Sequence, residues 1–184
     1  MEDSLREELE SCDREQLVDI VGELVEEHSD VRPYLKLLLA SRRGDPEALD
    51  MEGFVGRVDE VFSRAWDRNA GRYEVTVRLA RALRGFKEVA DQRRASGDAA
   101  GAARRYAHLA RRIAEEYMTF HDSSGKLGGL WHDILREVGD CYSEVAESEV
   151  RESVRKDLAS VREFEDREIT MGLTRHIEGI LDDL

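Results

Sequence analysis

The residues of this chain best suited to chemistry are His108, His121, Asp122, His132 and Asp133. Imidazole and carboxylate groups together can hold a divalent metal that activates water, the chemistry of a metal-dependent hydrolase. Their spacing argues against it. His108 lies thirteen residues before His121, on what reads as the same helix, which is poor geometry for one shared ion. His132 falls about one turn into the next helix. A plainer reading fits better: Asp122 or Ser124 caps the helix that follows, and His121 sits near a helix C-terminus, where positive charge is favoured. Asp122-x-Ser124-Gly125 also hints at a calcium loop. EF-hand spacing would put Phe120 at the first ligand position and Trp131 at the last, so that reading fails. Cys12 and Cys141 form neither a metal pair nor a disulfide pattern. No phosphate-cradling glycine loop or nucleophile elbow is present. The expectation is a protein with no catalytic residues, no bound metal and no cofactor.

The second chemical signal is charge. Between Arg64 and Arg112 there are thirteen Arg and Lys against five Asp and Glu, a net of +8, while the rest of the chain carries −21. Arg78, Arg81, Arg104, Arg105, Arg111 and Arg112 are the candidate basic interaction face, shared by two adjacent helices. Such a face can hold nucleic-acid phosphates. It can equally pair with acidic groups of the same chain, with an acidic partner protein, or with an acidic arm of a second copy. Few aromatics interleave with these arginines, which weakens the case for stacked single strands.

The elements that must position these groups are helices. Ala99, Ala102, Ala103, Tyr106, Leu109, Ala110, Ile113, Ala114, Tyr117 and Phe120 recur at helical spacing and predict one helix across Gly97–Phe120, with Asp98 as its N-cap. Its alanine-rich half allows close approach of a neighbour. A helix over Tyr73–Ala95 precedes it, with Val75, Leu79, Ala82, Leu83, Phe86, Val89 and Ala90 facing inward. Another over Lys126–Ala146 follows, with Leu127, Leu130, Trp131, Ile134, Leu135, Val138, Cys141, Tyr142 and Val145. Short loops favour antiparallel packing, so the three are expected as an up-down-up layer with Gly97–Phe120 in the middle.

Outside this centre, Leu5 and Leu9 suit a short first helix. Asp13 and Gln16 resemble a capping box for a second, carrying Leu17, Ile20, Val21, Leu24 and Val25 and ending near His28. A leucine-rich helix is expected from Asp30 to Gly44, with Pro33 in its first turn. Phe54, Val55, Val58, Val61, Phe62, Ala65 and Trp66 make the next. A polar helix over Glu149–Glu165 has a narrow seam of Val150, Val154, Leu158 and Val161. That seam suits association with another helix, or lies on its own domain's surface. A last short helix holds Ile169, Met171, Leu173, Ile177, Ile180 and Leu181.

The fold expected is all-α: an antiparallel helical bundle or α-solenoid-like, repeat-like array of about seven to nine helices. Residues 1–147 form the main helical domain, with its core at 73–146. Residues 148–184 form a C-terminal helical arm that docks on it or extends. With 41% hydrophobic residues the 184-residue chain can build a real core. The net charge of −13 makes it an acidic protein. No signal peptide and no run of about eighteen apolar residues is visible, so the expected home is cytoplasmic and membrane-free.

The stretch from about Tyr34 to Val145 resembles the helical region carried beside the SWIM zinc finger in many prokaryotic proteins. The likeness rests on Gly44-Asp45-Pro46 after the leucine-rich helix, on Arg57-Val58-Asp59, and on the Gly97-Asp98-x-x-x-Ala102 opening. It rests most on the turn His121-Asp122-Ser123-Ser124-Gly125-Lys126-Leu127-Gly128, where His121 stands for the first Asp of the family's Asp-Asp-Ser-x-Gly-x-x-Gly pattern. The finger's own Cys-x-Cys and Cys-x-His ligands are absent. The resemblance therefore implies a helical interaction region and carries over no zinc-dependent nucleic-acid binding. His121-Asp122 also superficially resembles the metal-binding His-Asp of HD phosphohydrolases, without that family's distant partners.

Three readings of function follow. The first is a non-enzymatic module for protein–protein interaction or scaffolding, with a protein partner or self-association. The second is a nucleic-acid-associated protein working through the basic central face. The third is a metal-dependent hydrolase at His108, His121, Asp122 and His132.

Overall fold

In a computed structural model, residues 2–27, 50–65, 71–120 and 122–168 are described, with the single positions 32, 35, 36, 39, 178 and 179. The described residues are all-α. In order they form α1 (Glu2–Ser11), α2 (Arg14–Glu27), α3 (Met51–Ala65), α4 (Arg72–Ala95), α5 (Ala99–Glu116), a 3₁₀ turn (Tyr117–Thr119), α6 (Lys126–Glu144) and α7 (Ser148–Glu168). Apart from those single positions, the leucine-rich helix expected at 30–44 and the last short helix lie outside the described residues, as does Trp66.

Local chemistry sets the ends. Asp13 and Gln16 make a reciprocal capping box: the Gln16 amide donates to Asp13 Oδ1 and the Asp13 amide to Gln16 Oε1, each at 2.9 Å. Asp50 caps α3 by accepting from the Gly53 amide at 2.7 Å. α4 closes in a Schellman turn. The Asp98 amide reaches Arg93 O and the Gly97 amide reaches Arg94 O, with Gly97 at φ 87°, a left-handed position that favours glycine. Asp98 then caps α5 through the Gly101 amide at 2.8 Å. α5 is shorter than the expected 97–120, because after Glu116 the backbone tightens into the 3₁₀ turn and Phe120 is extended.

α5 is the axis of the molecule. It packs against α3, α4, α6 and α7. Ala102, Ala103 and Tyr106 through Ala110 are buried on nearly every side. Within the expected up-down-up arrangement α4 and α6 also pack against each other, so the three central helices form the bundle. The small side chains of Ala102, Ala103, Ala107 and Ala110 permit this crowding around α5. Lower down, Trp131 of α6 fills the wider space. Its indole donates to Ala110 O at 3.0 Å and its ring lies 5.4 Å from that of Tyr117.

The narrow seam of α7 is used within the chain. Val150, Val154, Leu158 and Val161 are buried in the same cluster as the residues of α3–α6. Each contributes on the order of 1.5 kcal/mol of apolar burial, enough together to hold the helix down. At its start, Arg151 Nε donates to Val145 O at 2.7 Å, and the guanidinium lies 5.1 Å over the Tyr142 ring.

Candidate functional site

The six arginines do not share one exposed surface. Arg105 lies inside, 5% exposed. It donates to Gly101 O at 2.9 Å and lies 5.4 Å over the Phe54 ring. Burial pushes its guanidinium below its ordinary value. Arg111 pairs with Glu115 at 2.6 Å and with Asp157 of α7 at 2.9 Å. Arg112 meets Asp59 of α3 at 2.8 Å and Glu115 at 2.5 Å, and lies 4.8 Å over the Phe62 ring. Arg78 pairs with Glu74 one turn away. Arg104 is half-buried and Arg81 exposed. Much of the +8 excess is thus met by carboxylates on α3, α5 and α7. The i, i+4 partner Glu115 was readable from spacing. Asp59 and Asp157 were not, because they arrive through tertiary packing.

The histidines are separated in character. His108 is 3% exposed and its ring packs edge-on to Phe54, centroids 6.5 Å apart. Arg111 reaches its Nδ1 at 3.3 Å. Arginine only donates, so Nδ1 accepts and the ring proton sits on Nε2, which is buried without a hydrogen-bond partner. Burial, then the Arg111 charge, pushes the imidazole down to about 4. His132 is exposed on α6. His121 lies outside the described residues. Asp122 is engaged in shaping the chain: Oδ1 accepts from the Leu127 amide at 3.2 Å and Oδ2 from the Gly128 amide at 2.7 Å. The Tyr117 hydroxyl adds a bond to Oδ2 at 3.3 Å. Asp122 thereby caps α6 from beyond Gly125, whose φ of 64° turns the chain. Among the described residues no three His, Cys, Asp or Glu side chains are grouped to hold a metal ion.

A cleft of about 460 Å³ opens between α4 and α6, above Tyr106. Sequence reading missed it. The Tyr106 hydroxyl donates to Asp91 at 2.5 Å, and Lys87 donates to the same carboxylate at 2.9 Å. Arg94 bridges Glu137 at 2.9 Å and Glu144 at 2.7 Å, which raises its already high pKa. Each carboxylate lining the cleft has a cation beside it, so the group reads as a clamp joining α4 to α6. Cys141 is buried next to this clamp, and burial pushes its thiol up to about 11. It is not a thiolate nucleophile at neutral pH.

The remaining feature is apolar. Leu5 and Leu9 on α1, with Val18, Ile20, Val21 and Leu24 on α2, are all exposed, Val18 by 63%. The same residue types on α3–α7 are largely buried. Residues 2–27 carry eleven acidic and two basic side chains, a net of −9. An apolar stripe set among carboxylates is the surface with the least internal explanation.

The chain matches no protein-family model, no curated protein and no solved structure. Within the described residues no helix is long and apolar enough to cross a membrane.

Proposed function

We propose that the chain is a non-catalytic helical interaction module that docks a protein partner on the stripe of α1 and α2. The observation carrying this reading is the contrast in burial. Val18, Ile20, Val21 and Leu24 remain exposed while Val150, Val154, Leu158 and Val161, a narrower seam, are covered. Contiguous exposed apolar side chains rimmed by charge mark interaction sites on soluble proteins.

The nucleic-acid reading has less support, because Arg105 is buried and Arg111 and Arg112 hold carboxylates of α3 and α7. The hydrolase reading has less again, since Asp122 already accepts two backbone amides. The test is comparative affinity capture with the full chain and its Val18→Asp/Leu24→Asp variant. Partners retained by the first and lost by the second support the reading. Identical profiles with no α2-dependent partner, and no α2-dependent self-association by light scattering, sink it.

A further inference from the structure

We infer that the occupant of the α1–α2 stripe is a basic amphipathic helix of another protein. This rests on the reading of α1–α2 as a docking surface and names the chemistry of what docks. Two observations select it. The first is geometric. Leu17, Val18, Ile20, Val21, Leu24 and Val25 follow the spacing of one broad helical stripe over a 14-residue helix, about 21 Å long. Among the described residues there is no sheet edge for an extended strand to join. A second helix laid alongside, with its own apolar side chains at i, i+3, i+4 and i+7, matches both the length and the ridges of α2.

The second observation is charge. The stripe is flanked by Glu15, Asp19, Glu23, Glu26 and Glu27, within a segment whose net charge is −9. A second copy of this chain would bring the same −9 to the contact, and like charges juxtaposed repel each other. Self-association through this face is therefore disfavoured. A partner helix with Lys or Arg flanking its apolar stripe gains attraction along the whole length, together with faster, salt-sensitive association. Charge thus chooses among the helices that the apolar stripe would accept.

The experiment uses the full chain and two labelled synthetic 18-residue peptides with the same leucine stripe, one with lysine and one with glutamate on the polar face. Anisotropy titrations are run at low and at high salt, against the wild-type chain and against Val18→Asp/Leu24→Asp. Both substituted side chains are exposed, so circular dichroism melting is expected to be unchanged. The expected result is binding of the lysine peptide at least about tenfold tighter than the glutamate peptide. It should weaken about fivefold or more between low and high salt, and about tenfold or more in the variant. Equal binding of both peptides, lost in the variant, would overturn the basic-helix assignment while leaving α1–α2 a docking surface. Binding of the lysine peptide unchanged in the variant would overturn both. Light scattering that finds a wild-type dimer and a variant monomer would replace the partner with a second copy. A variant that melts well below wild type, with no peptide bound to either, would place the occupant inside the chain and overturn the assignment.

Discussion

Arg112 on α5 reaches Asp59 on α3, Nε to Oδ1 at 2.8 Å, while its guanidinium lies 4.8 Å from the Phe62 ring centre. One arginine of the basic stretch thus ties two helices together by an ion pair and a cation–π contact. Asp59 is about half exposed, so the pair itself is worth little more than ~0.5–1 kcal/mol. The aromatic contact adds about as much. Arg112→Ala is expected to lose ~1–2 kcal/mol in urea unfolding. A double-mutant cycle of Arg112→Gln with Asp59→Asn should give a coupling of ~0.5 kcal/mol that shrinks in high salt. Zero coupling would mean that Arg112 points elsewhere in solution.

The same pairing argues against a phosphate-binding role for these arginines. Labelled DNA and RNA titrated over salt should show no steep salt dependence, since Arg111 and Arg112 already hold Asp157, Glu115 and Asp59. Tight binding at low salt that disappears when Arg104, Arg105, Arg111 and Arg112 become Glu, in a chain that still melts cooperatively, would restore the basic face as a site.

His108 makes stability fall with acid. In the unfolded chain it takes a proton near pH 6.5, but in the folded chain only near pH 4. Between those values the unfolded state binds more protons, so stability drops as pH falls from 6.5 towards 4, by on the order of 3 kcal/mol. The charged groups around the ring are Arg111 and Arg112 on α5, with Asp59 on α3 and Glu115 on α5 acting in the opposite sense. Asp157, whose carboxyl burial pushes up, takes its proton first when folded and so works against the trend. Urea unfolding at pH 7, 5.5 and 4.5 should show the fall, and His108→Leu should flatten it. An unchanged slope in that variant would remove His108 as the cause.

Two helical glycines should respond differently to alanine. Gly129 in α6 has open space where a Cβ would go, so Gly129→Ala should stabilise by ~0.5–1 kcal/mol. At Gly101 a Cβ would lie 2.2 Å from the Asp98 carboxylate that caps α5. Gly101→Ala should displace that cap and forfeit ~1 kcal/mol, cancelling the gain in helix propensity. Thermal melts of the two variants decide this, and equal stabilisation by both would mean that the Asp98 cap contributes nothing.

Asp122→Ala should cost ~2 kcal/mol, because it strands the Leu127 and Gly128 amides and the Tyr117 hydroxyl together. Chemical denaturation measures it. A loss below ~0.5 kcal/mol would mean that water replaces the carboxylate without strain, and that the turn needs another reason for its Asp.

Helix positions were largely legible because the apolar period is a local signal. α4 and α6 begin and end within about two residues of their expected bounds, and the Asp98 cap and Asp13–Gln16 box formed as read. The capping role considered for Asp122 was legible for the same reason. Burial of Arg105 and His108 was not. Both carry polar heads that a hydrophobic pattern assigns to solvent, yet α5 is enclosed by four helices, and Phe54 covers both heads. The Lys87–Asp91–Tyr106 and Arg94–Glu137–Glu144 clamp was invisible for a related reason. Its members lie on three helices, with bonded partners as far as 50 positions apart in sequence, and only packing brings them together.

The order in which the chain is made gives α7 a further meaning. Val150, Val154, Leu158 and Val161 complete the covering of α5. During synthesis α3 to α6 emerge before α7, so until Val161 is free of the ribosome α5 has one open flank. The bundle therefore closes only once α7 has emerged, and a nascent chain stalled before residue 161 would present an apolar groove to chaperones.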